Sequence, residues 1–416
     1  MSVSLIEKTL AWLTAFAVVF SLYAHTFFGL QSSQVTPIIA MAIAAGLSLI
    51  SLCFLPRATF SIPHGVVRKL AAFLFVGAWL WFAIFGLLAF VGRAPTPNDW
   101  GLYFLEVGVP VLLLFSHARL DLLRAIGWIC VGFAVLDAVV NLADVSGFHI
   151  LGSQGGRYTA FGRVDRYPGL TGNSHAGGLV ALVAVCMIAP RMRQPQRWVG
   201  WLAAALLLGL IGASLVLIDA RRYTGEAVMA AVFLVVPLWR VIPLQLIGPG
   251  VAAWGLYFTF NRFDADNSQR GDLMADAWRE ASHNIWSGGG LFYRAPPDGS
   301  DFSSLWAAGV TESGVLDLAT AFGWIATVAF LVAVFLALSA QRTRLAWPAA
   351  LLAVMAGELA YGDPLNGFLG ATLFYACLIF TLCDEGLTGA AHAPDRSRRD
   401  LAFVPAAWHA GGGGGT

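Results

Sequence analysis

The chain has 416 residues, of which 58% are apolar and only 12% charged, with mean hydropathy +0.72 and a formal net charge of +1. Soluble domains carry about a quarter charged residues, so this composition excludes an ordinary water-soluble enzyme. The net charge says nothing about nucleic acid, and no basic patch interleaved with aromatics points to a nucleic-acid binder.

In chain order, the first segment, "MSVSLIEK", has no small-residue cleavage site and is expected to stay in the cytoplasm as a signal anchor. Apolar runs then recur near 9–30, 36–55, 70–92, 101–116, 121–143, 174–190, 198–218, 223–239, 242–260, 315–338, 345–360 and 368–383. A helix needs roughly 20 such residues to cross a bilayer. The expected fold class is therefore an all-α integral membrane protein with about twelve transmembrane helices. With the N-terminus inside, every inner loop carries a base, from Lys8 through Arg57, Arg68 and Arg119 to Arg191, Arg240, Arg342 and Arg396. That satisfies the positive-inside rule and puts both termini in the cytoplasm. Two long outer loops follow, about 144–173 and 261–314. Residues 1–383 read as one polytopic domain, and 384–416 as a polar, disordered cytoplasmic tail ending in a glycine run.

The second outer loop contains "DADNSQRGDLMADAWREASHNIW", whose Leu273, Ala277, Trp278, Ala281 and Ile285 recur at helical spacing. An amphipathic helix is expected there, capped by Asn267 or Ser268 and stopped by Gly288, Gly289 and Gly290. It would lie on the outer face, across the mouth of a cavity. Cysteines 53, 130, 186, 377 and 383 show no CxxC or metal-ligand spacing. They read as small apolar fillers, and no metal or cofactor is expected.

Three arginines stand out. Arg221 and Arg222, in "LIDARRYTGEAV", occupy a short outer loop between two apolar runs, and Arg270 lies in the outer helix. A guanidinium at membrane depth marks a substrate path or a partner, and its planar fork suits phosphate oxygens. No P-loop is present, so the phosphate would belong to a lipid diphosphate. The competing readings are salt bridges to Asp219 or Glu226 and snorkelling to headgroups. Arg163 and Arg166, in the first outer loop, are further candidate anion contacts, whereas Arg157 and Arg294 read as solvated charges. Glu312, just ahead of the run at 315–338, can act as a general base or simply pair with an arginine. His175, after "RYPGLTGNS", and His283, in the outer helix, are candidate sugar contacts or hydrogen-bonded structural histidines. Glu106, Asp137 and Glu358 are scattered one per apolar run; in a transporter they would be relay groups, but they form no evident relay.

Four of these segments, in order, resemble the O-antigen polymerase and ligase superfamily of bacterial envelope enzymes. "RYPGLTGNSHAGGLVALV" is similar to its Gly-x-x-x-Asn stretch entering a span, which singles out Asn173. "ASLVLIDARRYTGEAVMAAV" resembles its arginine signature, and "RGDLMADAWREASHNIWSGGGLF" the outer-loop arginine and tryptophan, here Arg270 and Trp278. "TESGVLDLATAFGWIATVAFL" resembles its polar pair ahead of a span opened by glycine. The resemblance implies a GT-C-like enzyme of the bacterial inner membrane, its active site facing the periplasm. The donor would be an oligosaccharide on undecaprenyl diphosphate, with no nucleotide or metal involved and a chain-length regulator as a protein partner. Arg222 (or Arg221) and Arg270 would grip the diphosphate. Ligases of the family place a His-Asn pair eleven residues before a span glycine; here that spacing back from Gly323 falls on Glu312-Ser313. The departure favours an inverting repeat-unit polymerase with Glu312 as base. A ligase-type transferase to lipid A-core or protein stays open, as does a transporter or flippase of lipid-linked sugars.

Overall fold

Hydrocarbon offers the backbone no hydrogen bonds, so each segment inside it must satisfy its own N–H and C=O groups, and an α-helix does so locally. The computed structural model describes residues 3–23, 65–91, 100, 103–115, 119–148, 158–160, 164–166, 169–171, 174–193, 198–218, 221–236, 242–260, 265–288, 313–340, 347–365 and 367–383. These form α1 (Val3–Phe20), α2 (Val66–Ala89), α3 (Val109–Phe115, preceded by a π-turn at Phe104–Gly108) and α4 (Arg119–Val145). A short antiparallel hairpin follows, β1 (Tyr158–Ala160) and β2 (Val164–Arg166), with Tyr158 opposite Arg166. Then come α5 (Ser174–Ile188), α6 (Trp198–Leu217), α7 (Arg221–Val235), α8 (Ile247–Phe260), α9 (Ala265–His283), α10 (Gly314–Phe322), α11 (Trp324–Ser339), α12 (Trp347–Glu358) and α13 (Phe368–Cys383). Residues 1–383 make one compact unit.

By length and composition, four helices are apolar enough to cross a membrane: Val66–Ala89, Asp121–Val145, His175–Arg193 and Trp198–Leu217. The protein is a helical membrane protein. The other apolar runs coincide with shorter helices, and the run at 36–55 lies outside the described residues.

Side-chain distribution agrees with a lipid surround. On α2 the buried side is Ala71, Phe75, Ala78, Phe82 and Gly86, a three-to-four-residue repeat that lies along α11. Phe82 stacks on Phe322 at 4.5 Å between ring centroids, and Phe75 meets Phe330 at 6.4 Å. The opposite side of α2 presents Phe73, Leu80, Ile84, Leu87 and Leu88, and α6 presents Trp198, Trp201, Leu206 and Val216. Apolar area of that extent would drive a soluble protein to associate, whereas acyl chains cover it at no cost. In contrast, α12 and α13 are buried almost all round and form the middle of the bundle. Close helix approach there uses small residues: Gly357 of α12 sits against the Gly248 carbonyl of α8, leaving no room for a Cβ.

Three expectations are corrected. The run at 315–338 is two helices, α10 and α11, broken at Gly323 with φ 89. The outer helix starts at Ala265, so Asn267 and Ser268 lie within it, and it ends at His283, ahead of Gly288. Its buried residues are Ala277 and Ala281, whereas Trp278 and, in the turn beyond it, Ile285 are exposed. Finally, Arg221 and Arg222 are the first turn of α7, not a loop.

The Gly323 break is where the turn after α9 docks. Ile325 donates its N–H to the Ile285 carbonyl at 3.3 Å. The Trp81 indole of α2 donates to the Trp286 and Phe322 carbonyls at 2.9 and 3.2 Å. A Cβ on Gly323 would lie 2.6 Å from the Ile285 carbonyl oxygen and the Trp286 backbone. Gly65 has a similar φ of 90 but nothing within 4 Å of such a Cβ. Gly323→Ala should therefore cost more than Gly65→Ala: about 1–3 kcal/mol of backbone strain at both sites, plus displacement of the docked turn at Gly323 alone. Thermal unfolding of both variants in detergent checks this; equal shifts in midpoint would remove the docking role.

Candidate functional site

The first turn of α7 carries the site. Nη2 of Arg222 lies 3.2 Å from Oε1 of Glu358, the last residue of α12. The same nitrogen donates to the Tyr223 hydroxyl at 3.0 Å and lies 3.1 Å from Nδ1 of His175, near the start of α5. The guanidinium carbon stands 4.7 Å from the Tyr223 ring centroid, within cation–π range. One turn further along α7, the Glu226 carboxylate accepts the Tyr361 hydroxyl at 2.6 Å. Glu226 and Glu358 are fully buried, as are Tyr223 and Tyr361 within a few per cent. The Arg222 side chain keeps 21% of its surface, and His175 is exposed.

Glycines make these aromatic and charged contacts possible. The Tyr223 ring lies against Gly178, one turn along α5 from His175, so a methyl group at Gly178 would occupy the ring's place. Tyr361 likewise lies on Gly255 of α8, and Trp254 on Gly225 of α7. Gly362 faces the guanidinium itself: a Cβ there would sit 2.5 Å from Nη1 of Arg222 and 3.0 Å from Cγ of Glu358. Burial and then the adjacent Glu226 push the Tyr361 phenol above its ordinary value, so Tyr361 serves as a neutral donor.

The turn after α12 also receives the start of α10. Gly314 donates its N–H to the Gly362 carbonyl at 2.8 Å, and Val315 to the Leu359 carbonyl at 3.0 Å. Ser313 caps α10 by accepting the Leu316 N–H, and its hydroxyl donates to the Leu359 carbonyl at 3.3 Å. The residue following Glu312 is therefore fixed to the same turn that holds Glu358 and Gly362 against Arg222. Glu312 itself lies outside the described residues, as do Arg163 and Asn173.

A second buried group positions the α5 end. Asp137 of α4 accepts the Leu170 N–H at 2.7 Å on one oxygen and the Tyr23 hydroxyl at 2.9 Å on the other. This fastens the 3₁₀ turn Gly169–Thr171, four residues ahead of His175, to α4. Gly169 has φ 64, and a Cβ there would lie 2.6 Å from the Asp137 oxygen. Asp137 is thus a structural anchor. Glu106, by contrast, sits buried in the π-turn before α3.

Of the residues singled out by sequence, the fold joins Arg222 and His175. Arg166 lies on β2, Arg221 opens α7 and Arg270 is on α9; only their backbone positions are described. Trp278 and His283 are exposed on α9, and the Trp278 ring meets Trp324 edge-on at 4.8 Å instead of joining the Arg222 group. Sequence reasoning offered Asp219 or Glu226 as the partner of Arg222. The ion-pair partner is Glu358, from another helix, with Glu226 bonded to Tyr361. Tyr223 and Tyr361 carry no sequence signal as site residues, and Glu358 reads from sequence only as a relay group of a transporter, not as the partner of Arg222. The signal that points to Glu358 is an acid at the end of an apolar run, in "GELAYGDP", because such an acid requires a nearby cation. Among the described residues no three of His, Cys, Asp and Glu form a group able to hold a metal.

Chemically, the arrangement presents a fixed guanidinium edge beside an imidazole, backed by two buried carboxylates. Such an edge can take an anion, and the acids behind it can take a proton. Compared with protein-family models and with curated proteins, the chain matches none.

Proposed function

We propose that this chain is a polysaccharide repeat-unit polymerase, transferring a glycan from undecaprenyl diphosphate to a sugar hydroxyl of a second lipid-linked oligosaccharide. One observation carries the reading: Arg222, held from behind by Glu358, keeps 21% of its side-chain surface exposed beside exposed His175, and the α10 start that follows Glu312 is fastened to the same turn. Two of the four segments that resemble the polymerase and ligase superfamily thus meet at the guanidinium, and a third is bonded to the turn beside it.

In this reading the chain crosses the bacterial inner membrane about twelve times in a GT-C-like arrangement, both termini cytoplasmic and the Arg222 end facing the periplasm. Arg222 binds the donor's diphosphate, with Arg270 and Arg221 as further candidates. The acceptor oxygen attacks the anomeric carbon and its proton passes to Glu312. The glycosidic C–O bond to the diphosphate breaks, its electron pair leaves with the phosphate, and the anomeric carbon inverts. Charge developing on that phosphate is what Arg222 stabilises; removing one such preorganised donor typically costs about 10²–10³ in rate. Holding two membrane-tethered reactants together supplies further acceleration.

A second reading has its own support. Glu226 and Glu358 are buried between helices beside Arg222, the pattern of charges along a transporter path. Purified protein in nanodiscs, given undecaprenyl-diphosphate oligosaccharide alone, should release undecaprenyl diphosphate and form doubled glycans. Product only when lipid A-core is added would make it a ligase. Movement of a fluorescent lipid-linked sugar across liposomes, with no glycan growth in either assay, would remove the transferase reading.

A further inference from the structure

Arg222 brings one positive charge to two buried carboxylates, Glu226 and Glu358. The polar contacts around them are incomplete. Glu226 uses Oε1 for Tyr361 while its Oε2 has no hydrogen-bond partner, and Glu358 has only the Arg222 ion pair and the neighbouring Tyr223 hydroxyl beside it. Buried carboxylate oxygens in that state are costly, and adding a further anion beside the two acids as they stand would be costlier. The groups facing the two acids are Arg222 and Tyr223 on α7, Cys186 on α5, and Tyr361; His175 and Asp363 stand at the outer edge. Of the other described titratable side chains on the packed helices, Tyr257 of α8 is exposed, Cys377 of α13 is buried near Cys186, and Tyr375 of α13 lies among Phe75, Phe330 and Phe374. Among the described residues, Arg222 is the one arginine or lysine in this set.

From this charge balance we infer that Arg222 with the Glu226–Glu358 pair forms a site that takes up a diphosphate together with a proton. The anion binds the guanidinium edge beside His175. A proton from solvent bonds to a carboxylate oxygen of the acid pair, which becomes a neutral carboxyl and loosens its hold on Nη2. No other bond changes, and the net charge added to the bundle is one unit less negative than the diphosphate's own. The inference rests on assigning Arg222 to a diphosphate and adds the proton as its obligatory companion.

The test is titration calorimetry of the full chain in nanodiscs with inorganic pyrophosphate and, separately, farnesyl diphosphate. Each is run in two buffers of different ionisation heat, at neutral and mildly basic pH. Wild-type protein should bind both probes, farnesyl diphosphate more tightly, and affinity should fall by up to about tenfold per pH unit as one proton is taken up. Glu358→Gln and Glu226→Gln should bind with less proton uptake and a flatter pH dependence; protonation of the diphosphate itself is common to all three proteins and cancels. Unchanged uptake in whichever of the two variants folds would overturn the inference. Absence of binding of either probe to wild type at any pH would overturn the Arg222 assignment beneath it. Binding of pyrophosphate alone would overturn the lipid as its source.

Discussion

Glu358→Leu is expected to lower stability by about 3 kcal/mol or more, and the double replacement Arg222→Met with Glu358→Leu to cost less than that single change. Breaking a buried ion pair on one side leaves the other charge without its partner, and the penalty is the stranded group's desolvation. Glu358 is fully buried and Arg222 keeps 21% of its surface, so the two single variants differ in kind. Loss of Glu358 leaves a guanidinium that can still turn toward the outside. Loss of Arg222 leaves two carboxylates, Glu226 and Glu358, without the cation that stands beside them among the described residues, and Arg222→Met is expected to be the worse of the two. Apolar side chains at both positions remove the charge and keep the volume, and such exchanges are often close to neutral. Unfolding in bicelles of the four proteins of this cycle measures the coupling directly. Additive losses would mean that the 3.2 Å contact does not hold α7 to α12.

The helical character of the chain was legible because hydrocarbon imposes it: apolar runs of span length have one backbone solution, and each run that falls on described residues is helical. What the runs hide is interruption. Gly323 sits inside a stretch that reads as one span, and the φ of 89 there goes with the docking of Ile285 and Trp286, residues far away in sequence. The hairpin at 158–166 was missed for a different reason: three-residue strands have too little alternation to register as a pattern.

The site divides in the same way. Arg222 was conspicuous as a charge in a hydrocarbon-soluble chain, and His175 as a polar residue entering an apolar run. Their partners carry no such signature. Glu358 is one acid among several, Tyr361 one aromatic among many, and both become site residues only because α12 packs between α7 and α8. The glycines that seat them, Gly178, Gly255 and Gly362, are indistinguishable by sequence from the chain's other glycines. Pair partners across helices are set by packing, and packing is what a single sequence states least directly. Asp137 shows the converse: a buried acid that reads as a relay candidate is spent on Tyr23 and the Leu170 N–H, holding the turn that feeds α5.

Arg222→Lys is expected to lower glycan transfer by about 100-fold or more while the protein still reaches the membrane and unfolds within about 1 kcal/mol of wild type. The ammonium keeps the charge, so Glu358 retains a counter-ion and the ground-state fold survives. It loses the planar fork, and with it the means of meeting Glu358 and a phosphate oxygen from one rigid group. The geometry makes the distinction sharp: Nη2 is already shared among Glu358, Tyr223 and His175, and Nη1 faces Gly362. A lysine nitrogen placed to satisfy Glu358 is a single centre and lacks the second, fixed nitrogen that would reach an anion at the outer edge. The loss should therefore appear in kcat, where charge builds on the departing diphosphate, more than in KM. Single-turnover transfer with a lipid-linked oligosaccharide, together with membrane abundance of the variant, separates the outcomes. Transfer within a few-fold of wild type would leave Arg222 as a structural cation, tying α7 to the end of α12 and nothing more.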